Sequence, residues 1–569
     1  MGSFLNKVGV GDGDPESQRD ALSMKENRGN ASNIMEKFKI TDLHRASMKG
    51  DIESVDRERQ CVDSIKEKDD QGNTPLHIAS MCGKVVVVEK LLESYRNQIL
   101  TENSWKQTAL HIAAAEGHFE VVKKILENAG EDMGALLMKK DKNKATPLHH
   151  AVYGKHKEIV RILATKCREY DREIENKNLK INAKQKNEMT PLHLACVVGE
   201  IEIIEALVNN GAEINETWES GATPLITAAK YGHEKIVDYL IEKNAERETK
   251  TRKGYTALLT SAKYGQSRVV VYLLNTAQVD INVQANDSTI IHVCATKNQL
   301  TVLEKIIEES GKKKELIAMV NIPDKNRNTP LHIAAMKGYF TFAKFLLEQL
   351  GCAKSSKNKD FRTPFHLAVI NGHVKIVKYL LDLDNRLVYD TDKNENTALH
   401  LAALEERATC VRILLQSGAN FYAENKDDLT PLDCCAANDR QKGAELLIES
   451  GAMIKSDENR TWKPLHKACE KDNVDMVKLL LDNGADVGDL DEKKLNALDV
   501  AAENHSQDCA MYIIETDDWK KALKAAKPRN SDNKENRQTP MRRLIRNLPE
   551  VAEKVMDKCI TEGIYLITP

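Results

Sequence analysis

The fold class this sequence predicts is all-α: a solenoid of helix-turn-helix repeats, read from three observations. First, the tetrapeptide Thr74-Pro75-Leu76-His77 returns in close versions at Thr41, Thr108, Thr146, Thr190, Thr223, Thr256, Thr289, Thr329, Thr363, Thr397, Thr430, Lys463 and Asn496. The steps are 33 or 34 residues, apart from three of 38, 44 and 40. Second, each copy is followed by apolar residues at steps of three or four, the period of a helix with one buried face. Third, small residues and glycines recur at fixed places within the period, where helices approach closely or the chain must turn.

The copy at Thr190 justifies the elements in order. Its hydroxyl can cap a helix, and Pro191 fits the first turn, where no N–H is needed. Leu192 points inward, Ala195 and Cys196 are small enough for close packing, and Gly199 turns the chain. Ile201, Ile203, Ile204, Leu207 and Val208 form the apolar face of a second helix. Gly211-Ala212 ends it, and the polar stretch 213–222 leads onward as a β-hairpin-like finger. One such unit cannot bury its own apolar face, so neighbours must stack. This period and signature are identified as those of ankyrin repeats. About 14 repeats are expected over 38–516, in one long curved array, after a disordered segment at 1–37 and before a basic linker and terminal helix at 517–569.

Composition narrows the function. The 569 residues carry 83 basic and 86 acidic side chains, a net charge of −3, which argues against nucleic acid as a partner for the whole surface. No segment approaches the roughly 18 apolar residues of a membrane span. Twelve cysteines without a Cys-x-x-Cys suit reduced thiols in a cytoplasmic protein; no metal site and no cofactor motif is expected. Of sixteen histidines, ten (His44, His77, His111, His149, His193, His292, His332, His366, His400, His466) hold the fourth place of the motif and four (His118, His156, His233, His373) the eleventh. A residue at the solenoid's own period is explained by the solenoid, so no enzyme is expected. Asp390-Thr391-Asp392-Lys393-Asn394 has a faint likeness to a calcium loop, but Glu395 and Leu401 replace its turn glycine and bidentate glutamate.

Function in repeat proteins is sought where repeats differ. The extra residues of the long intervals fall at 128–140, 167–184 and 310–321, and read either as tolerated surface insertions or as a contact ridge. Fingers and first helices should form a concave face that holds a protein partner. Trp105 and Trp218 are its rare aromatics, either finger contacts or packing against the adjacent finger. Past the repeats, Lys520, Lys521, Lys524, Lys527, Arg529, Lys534, Arg537, Arg542, Arg543 and Arg546 face only Asp532 and Glu535, a net of +8. That cluster suits anionic lipid headgroups or a soluble (inositol) polyphosphate; otherwise it is a solvated linker. Leu544, Leu548, Val551, Val555 and Cys559 then recur at helical steps.

The order of Trp519, basic linker, Thr539-Pro540-Met541, Leu548-Pro549-Glu550 and Asp557-x-Cys559 resembles the cytoplasmic N-terminal region of transient receptor potential ankyrin-type (TRPA) cation channels. The resemblance implies a tetrameric channel subunit gated by irritants or heat, at the cytoplasmic face of the plasma membrane. It further implies electrophile-reactive cysteines after the repeats. Carried over by position, two of those cysteines are Val551 and Thr539 here, leaving Cys559 as the one candidate thiol, activated if Lys554 and Lys558 lower its pKa. The sequence stops at Pro569 before any membrane span, which by itself makes no pore. The alternative is a soluble adaptor that binds another protein on its concave face. A channel fragment should leave the terminal helix exposed or poorly ordered, whereas an adaptor should cap its last repeat with a polar outer face; the apolar stripe of Leu544, Leu548, Val551 and Val555 favours the channel.

Overall fold

The computed structural model describes residues 40–173, 180–452, 464–491, 493–524 and 539–562. The expected disorder at 1–37 and the linker residues Lys527, Arg529, Lys534 and Arg537 lie outside them. The chain forms two compact units, Met1–Arg252 and Lys253–Pro569.

Both units consist of paired helices, and the described residues contain no β-strand, only isolated bridges at Ala285–Ser288 and Thr391–Thr397. The Thr190 repeat shows how the motif folds. Thr190 is extended (φ −88°, ψ 166°) and caps the helix Pro191–Val198, whose Pro191 through Cys196 are buried. Gly199 ends it at φ 85°, and the helix Ile201–Asn209 lays Ile203, Ile204 and Leu207 over the first.

The fourth-place histidine joins one repeat to the next. The Thr190 N–H donates to His193 Nδ1 at 3.3 Å, which leaves the ring proton on Nε2, donating to the Ala222 carbonyl of the following finger at 3.2 Å. The same pair of bonds recurs at His77, with Thr74 N–H and Gln107 O, and at His332, with Thr329 N–H and Arg362 O. Burial disfavours the charged ring, so His77, His149, His193, His332 and His366 are held down at about 4 and His111 at about 3.

The eleventh place makes a second inter-repeat bond. His118, His156 and His373 donate from Nε2 to the carbonyls of Met81, Ala115 and Met336 at 2.9–3.1 Å. Arg407, Arg440 and Asn473 repeat the bond without a histidine, to Ile370, Leu404 and Ala436. A donor, not an imidazole, is what the site requires. The ring needs room, which is why glycine precedes it by one repeat: a Cβ on Gly199 would run into the His233 ring. With the left-handed backbone added, Gly199→Ala should cost about 3 kcal/mol in urea unfolding. A loss under 1 kcal/mol would mean that the ring simply swings aside.

The described residues of the three insertions add helix to the array. The first contains the helix Met133–Met138, with Leu136 and Leu137 buried. The second lengthens an outer helix to Lys157–Glu173, placing the Tyr170 ring against Gly134 and Arg168 Nη1 2.7 Å from the Asn209 carbonyl. The third forms the helix Lys313–Met319, anchored by Leu316 and Met319.

The C-terminal segment holds the largest departure from expectation. The helices Pro540–Asn547 and Pro549–Thr561 pack as a further repeat-like pair on the helices Ala497–Glu503 and Gln507–Glu515. Thr539 caps the first of them as the motif threonines do. Leu544, Leu548, Val551 and Val555, the stripe expected to stay exposed, are buried in this pair.

Candidate binding surface

Several fingers are closed by an Asp or Asn side chain. Asp141 Oδ1 accepts the N–H groups of Asn143 and Ala145 at 2.8 Å, and Asn358 Oδ1 accepts those of Asp360 and Arg362 at 3.0 Å. Asp392, of the faint calcium-like segment, does the same for Asn394 and Asn396, so its carboxylate serves the turn. Backbone bonds then fix one finger against the next. In the first unit the N–H groups of Ser104, Lys142, Lys186 and Arg252 donate to the carbonyls of Gln71, Trp105, Asn143 and Ser220. In the second, Lys359, Lys393 and Lys426 donate to Asn326, Asp360 and Asn394. Within each unit the finger side chains therefore stand in a set register.

Trp105 is 41% exposed and stacked by Lys142, whose Nζ is 5.0 Å from the ring centroid. Trp218 is half-buried, with its indole Nε1 enclosed and without a hydrogen-bond acceptor, as a ring packed against its surroundings would be. Phe361 was not foreseen. It is 48% exposed and sits at φ +56°, two residues before its motif threonine, where Gly72, Gly221 and Gly254 stand in other fingers. A large aromatic at a position that other fingers give to glycine or to a charged residue, such as Lys106, Lys144, Glu188 or Arg327, was the signal for it in the sequence. Phe361→Gly should raise stability by about 1 kcal/mol by relieving the backbone. Chemical denaturation tests this, and a destabilised variant would show that the ring packs on its neighbours.

The basic cluster divides. Arg543 is an internal residue: its guanidinium binds Asp499 at 2.7 Å and Glu503 at 3.1 Å. Lys520 pairs with Glu562 at 2.8 Å and Lys521 with Asp518 at 3.0 Å. Lys524, Arg542 and Arg546 are exposed. Lys527 and Arg529 lie outside the described residues, so of the eight candidates three described ones are paired with carboxylates and three are exposed.

Cys559 is buried at 4% exposure. Burial and the Glu562 carboxylate push its thiol up, with Lys520 opposing. The expected activators act elsewhere: Lys558 Nζ donates to the Ile514 carbonyl at 2.8 Å and lies over the Trp519 ring. Burial likewise lifts Cys352 and Cys434 to about 12. The thiol held below the ordinary range is Cys61, exposed beside the backbone N–H groups of Ser64 and Asp63.

Repeated capped helix pairs with stacked fingers define an ankyrin-repeat protein. The family model described as Ankyrin repeats (3 copies) matches overlapping stretches at residues 43–136, 87–178, 110–218, 170–251, 291–388, 384–458 and 453–524, and the chain belongs to that family. Such an array is a protein-interaction scaffold. The chain is also similar to a particular human protein, transient receptor potential cation channel subfamily A member 1, at 26% identity over 201 residues. That alignment covers 30% of this chain and 18% of the channel.

Proposed function

We propose that this chain holds a partner polypeptide across its fingers and first helices, as the cytoplasmic sensory and assembly region of a TRPA-type cation channel subunit. The register of the fingers, fixed by backbone bonds such as Lys142 N–H to the Trp105 carbonyl, is the observation that carries the binding part. The channel part is supported by the likeness to the human channel and by the Leu548-Pro549-Glu550 segment. In that setting the subunit would assemble as a homotetramer, with Lys524, Arg542 and Arg546 turned to anionic headgroups or an inositol polyphosphate.

A second reading, the free-standing adaptor, is favoured by the burial of Leu544, Leu548, Val551 and Val555 in a terminal helix pair that acts as a cap. Recording from cells that express the complete transcript separates the two. A stimulus-evoked cation current supports the channel. No current, together with a co-purifying protein that finger substitutions release, overturns the channel and leaves the adaptor.

A further inference from the structure

The fingers of the first unit do not share one charge. On the finger at 139–145 the single acid, Asp141, is 7% exposed, and its carboxylate is taken up by the turn and by His150 Nε2 at 3.0 Å. Glu102 is matched by Lys139 at 3.0 Å, and Lys184 by Glu216 at 2.6 Å. What these pairings leave on the surface is basic: Lys106, Lys140, Lys142, Lys144 and Lys186, all exposed, beside exposed Trp105. None of these five lysines forms an ion pair with a described carboxylate, and Glu188 is the acid exposed at the tips among them. The flanking fingers break this basic run, with Glu67 and Asp70 exposed beside Lys66 and Lys68 on one side and Glu213 and Glu219 exposed on the other.

We propose that this three-finger ridge, with Trp105 as its apolar flank, docks a short acidic segment of a partner protein in extended conformation. The proposal deepens the scaffold reading and rests on it. Lys142 and Lys186 sit on successive rungs of the backbone ladder, through their N–H bonds to the Trp105 and Asn143 carbonyls at 3.0 and 2.8 Å. Rungs are set by helix packing at roughly 10 Å. An extended chain advances about 3.3 Å per residue, so an acid at every third residue meets each rung. Cations strung along a ridge do not converge on a compact polyphosphate. A long polyanion such as nucleic acid would run into Glu67 and Asp70 on one side and into Glu213 and Glu219 on the other. Lysines also suit carboxylates met as single charges, without the paired geometry an arginine fork imposes.

The test uses the full chain and a fluorescein-labelled ten-residue peptide with Glu at positions 1, 4, 7 and 10 among Gly and Ser, read by anisotropy. A peptide with Gln at those positions and inorganic hexametaphosphate as competitor complete the set. The Glu peptide should bind, more weakly as salt rises, and the Gln peptide should not. Combined Lys142→Glu, Lys144→Glu and Lys186→Glu should weaken binding by about tenfold or more, with far-UV circular dichroism unchanged. Lys235→Glu, on an outer helix, should leave binding as it was. Equal binding of both peptides overturns the acidic assignment while leaving the array a polypeptide binder. Binding that survives the triple reversal, tighter binding of hexametaphosphate than of peptide, or no binding of either peptide overturns the ridge itself.

Discussion

Lowering the pH from 7 to 5 should melt much of this helical array, with the midpoint temperature falling steeply below pH 6.5. The fourth-place rings are the cause. His77, His149, His193, His332 and His366 sit near 4 in the fold and His111 near 3, against about 6.5 in the unfolded chain. The fold holds the neutral ring, because Nδ1 must accept the threonine N–H. Their stabilisation is therefore complete above about pH 6.5 and drains away as the pH falls towards 4. Each ring held at about 4 loses about 2 kcal/mol between pH 7 and pH 5. Because stability in a repeat array is shared between neighbours, several weakened interfaces act together. Most exposed carboxylates titrate below this window, which isolates the histidines. Two repeats supply an internal control: Ile226 and Leu259 occupy the place, and Thr223 and Thr256 cap the helix alone. Hydrogen exchange should show these two as less sensitive to acid than the Thr190 repeat. A midpoint temperature that is flat from pH 7 to pH 5 would show that the rings protonate in place.

The sequence carried the repeats plainly because one residue type at one place served one bond each time, as Thr190 and His193 do. It hid the insertions. Leu316 and Met319 are three apart in a segment dominated by lysine and glutamate, and two buried side chains among so many charges read as a polar loop. It also hid the terminal pair, since Thr539-Pro540-Met541-Arg542 has no histidine and stands 43 residues after Asn496. Pairing was the least legible feature of all. Nothing local to Arg543 shows that Asp499 and Glu503 await it, so a net of +8 over the linker overstated the free positive charge. Likewise Lys554 and Lys558 closely precede Cys559 in sequence, yet burial is the first cause that pushes the thiol up.

Arg543→Ala should detach the terminal helix pair. Asp499 occupies the fourth place of its motif, where ten repeats have histidine, and its carboxylate accepts the Asn496 N–H at 3.3 Å. With 5% of its side chain exposed, it meets the Arg543 guanidinium from the helix Pro540–Asn547 in place of the usual ring-to-carbonyl bond. Burial pushes Asp499 up and Arg543 opposes this, so removing the arginine leaves a buried carboxylate without its cation. Such a loss costs about 3 kcal/mol. Other bonds at this junction, such as Asn547 Nδ2 to the Ala502 carbonyl at 3.0 Å and Gln507 to Glu550 at 2.8 Å, are partly exposed and replaceable by water. Amide exchange over 540–561 should therefore rise while the Thr190 repeat keeps its protection. Combining Arg543→Leu with Asp499→Leu should recover most of the loss, since an apolar pair needs no compensating charge. If Arg543→Ala leaves 540–561 protected, the apolar contacts of Leu544, Leu548, Val551 and Val555 hold the pair unaided. Either way the result bears on what the segment is for. A pair released by one substitution is poised to exchange its contacts with another element, as a channel's coupling region must, whereas one that stays fixed is built as a cap.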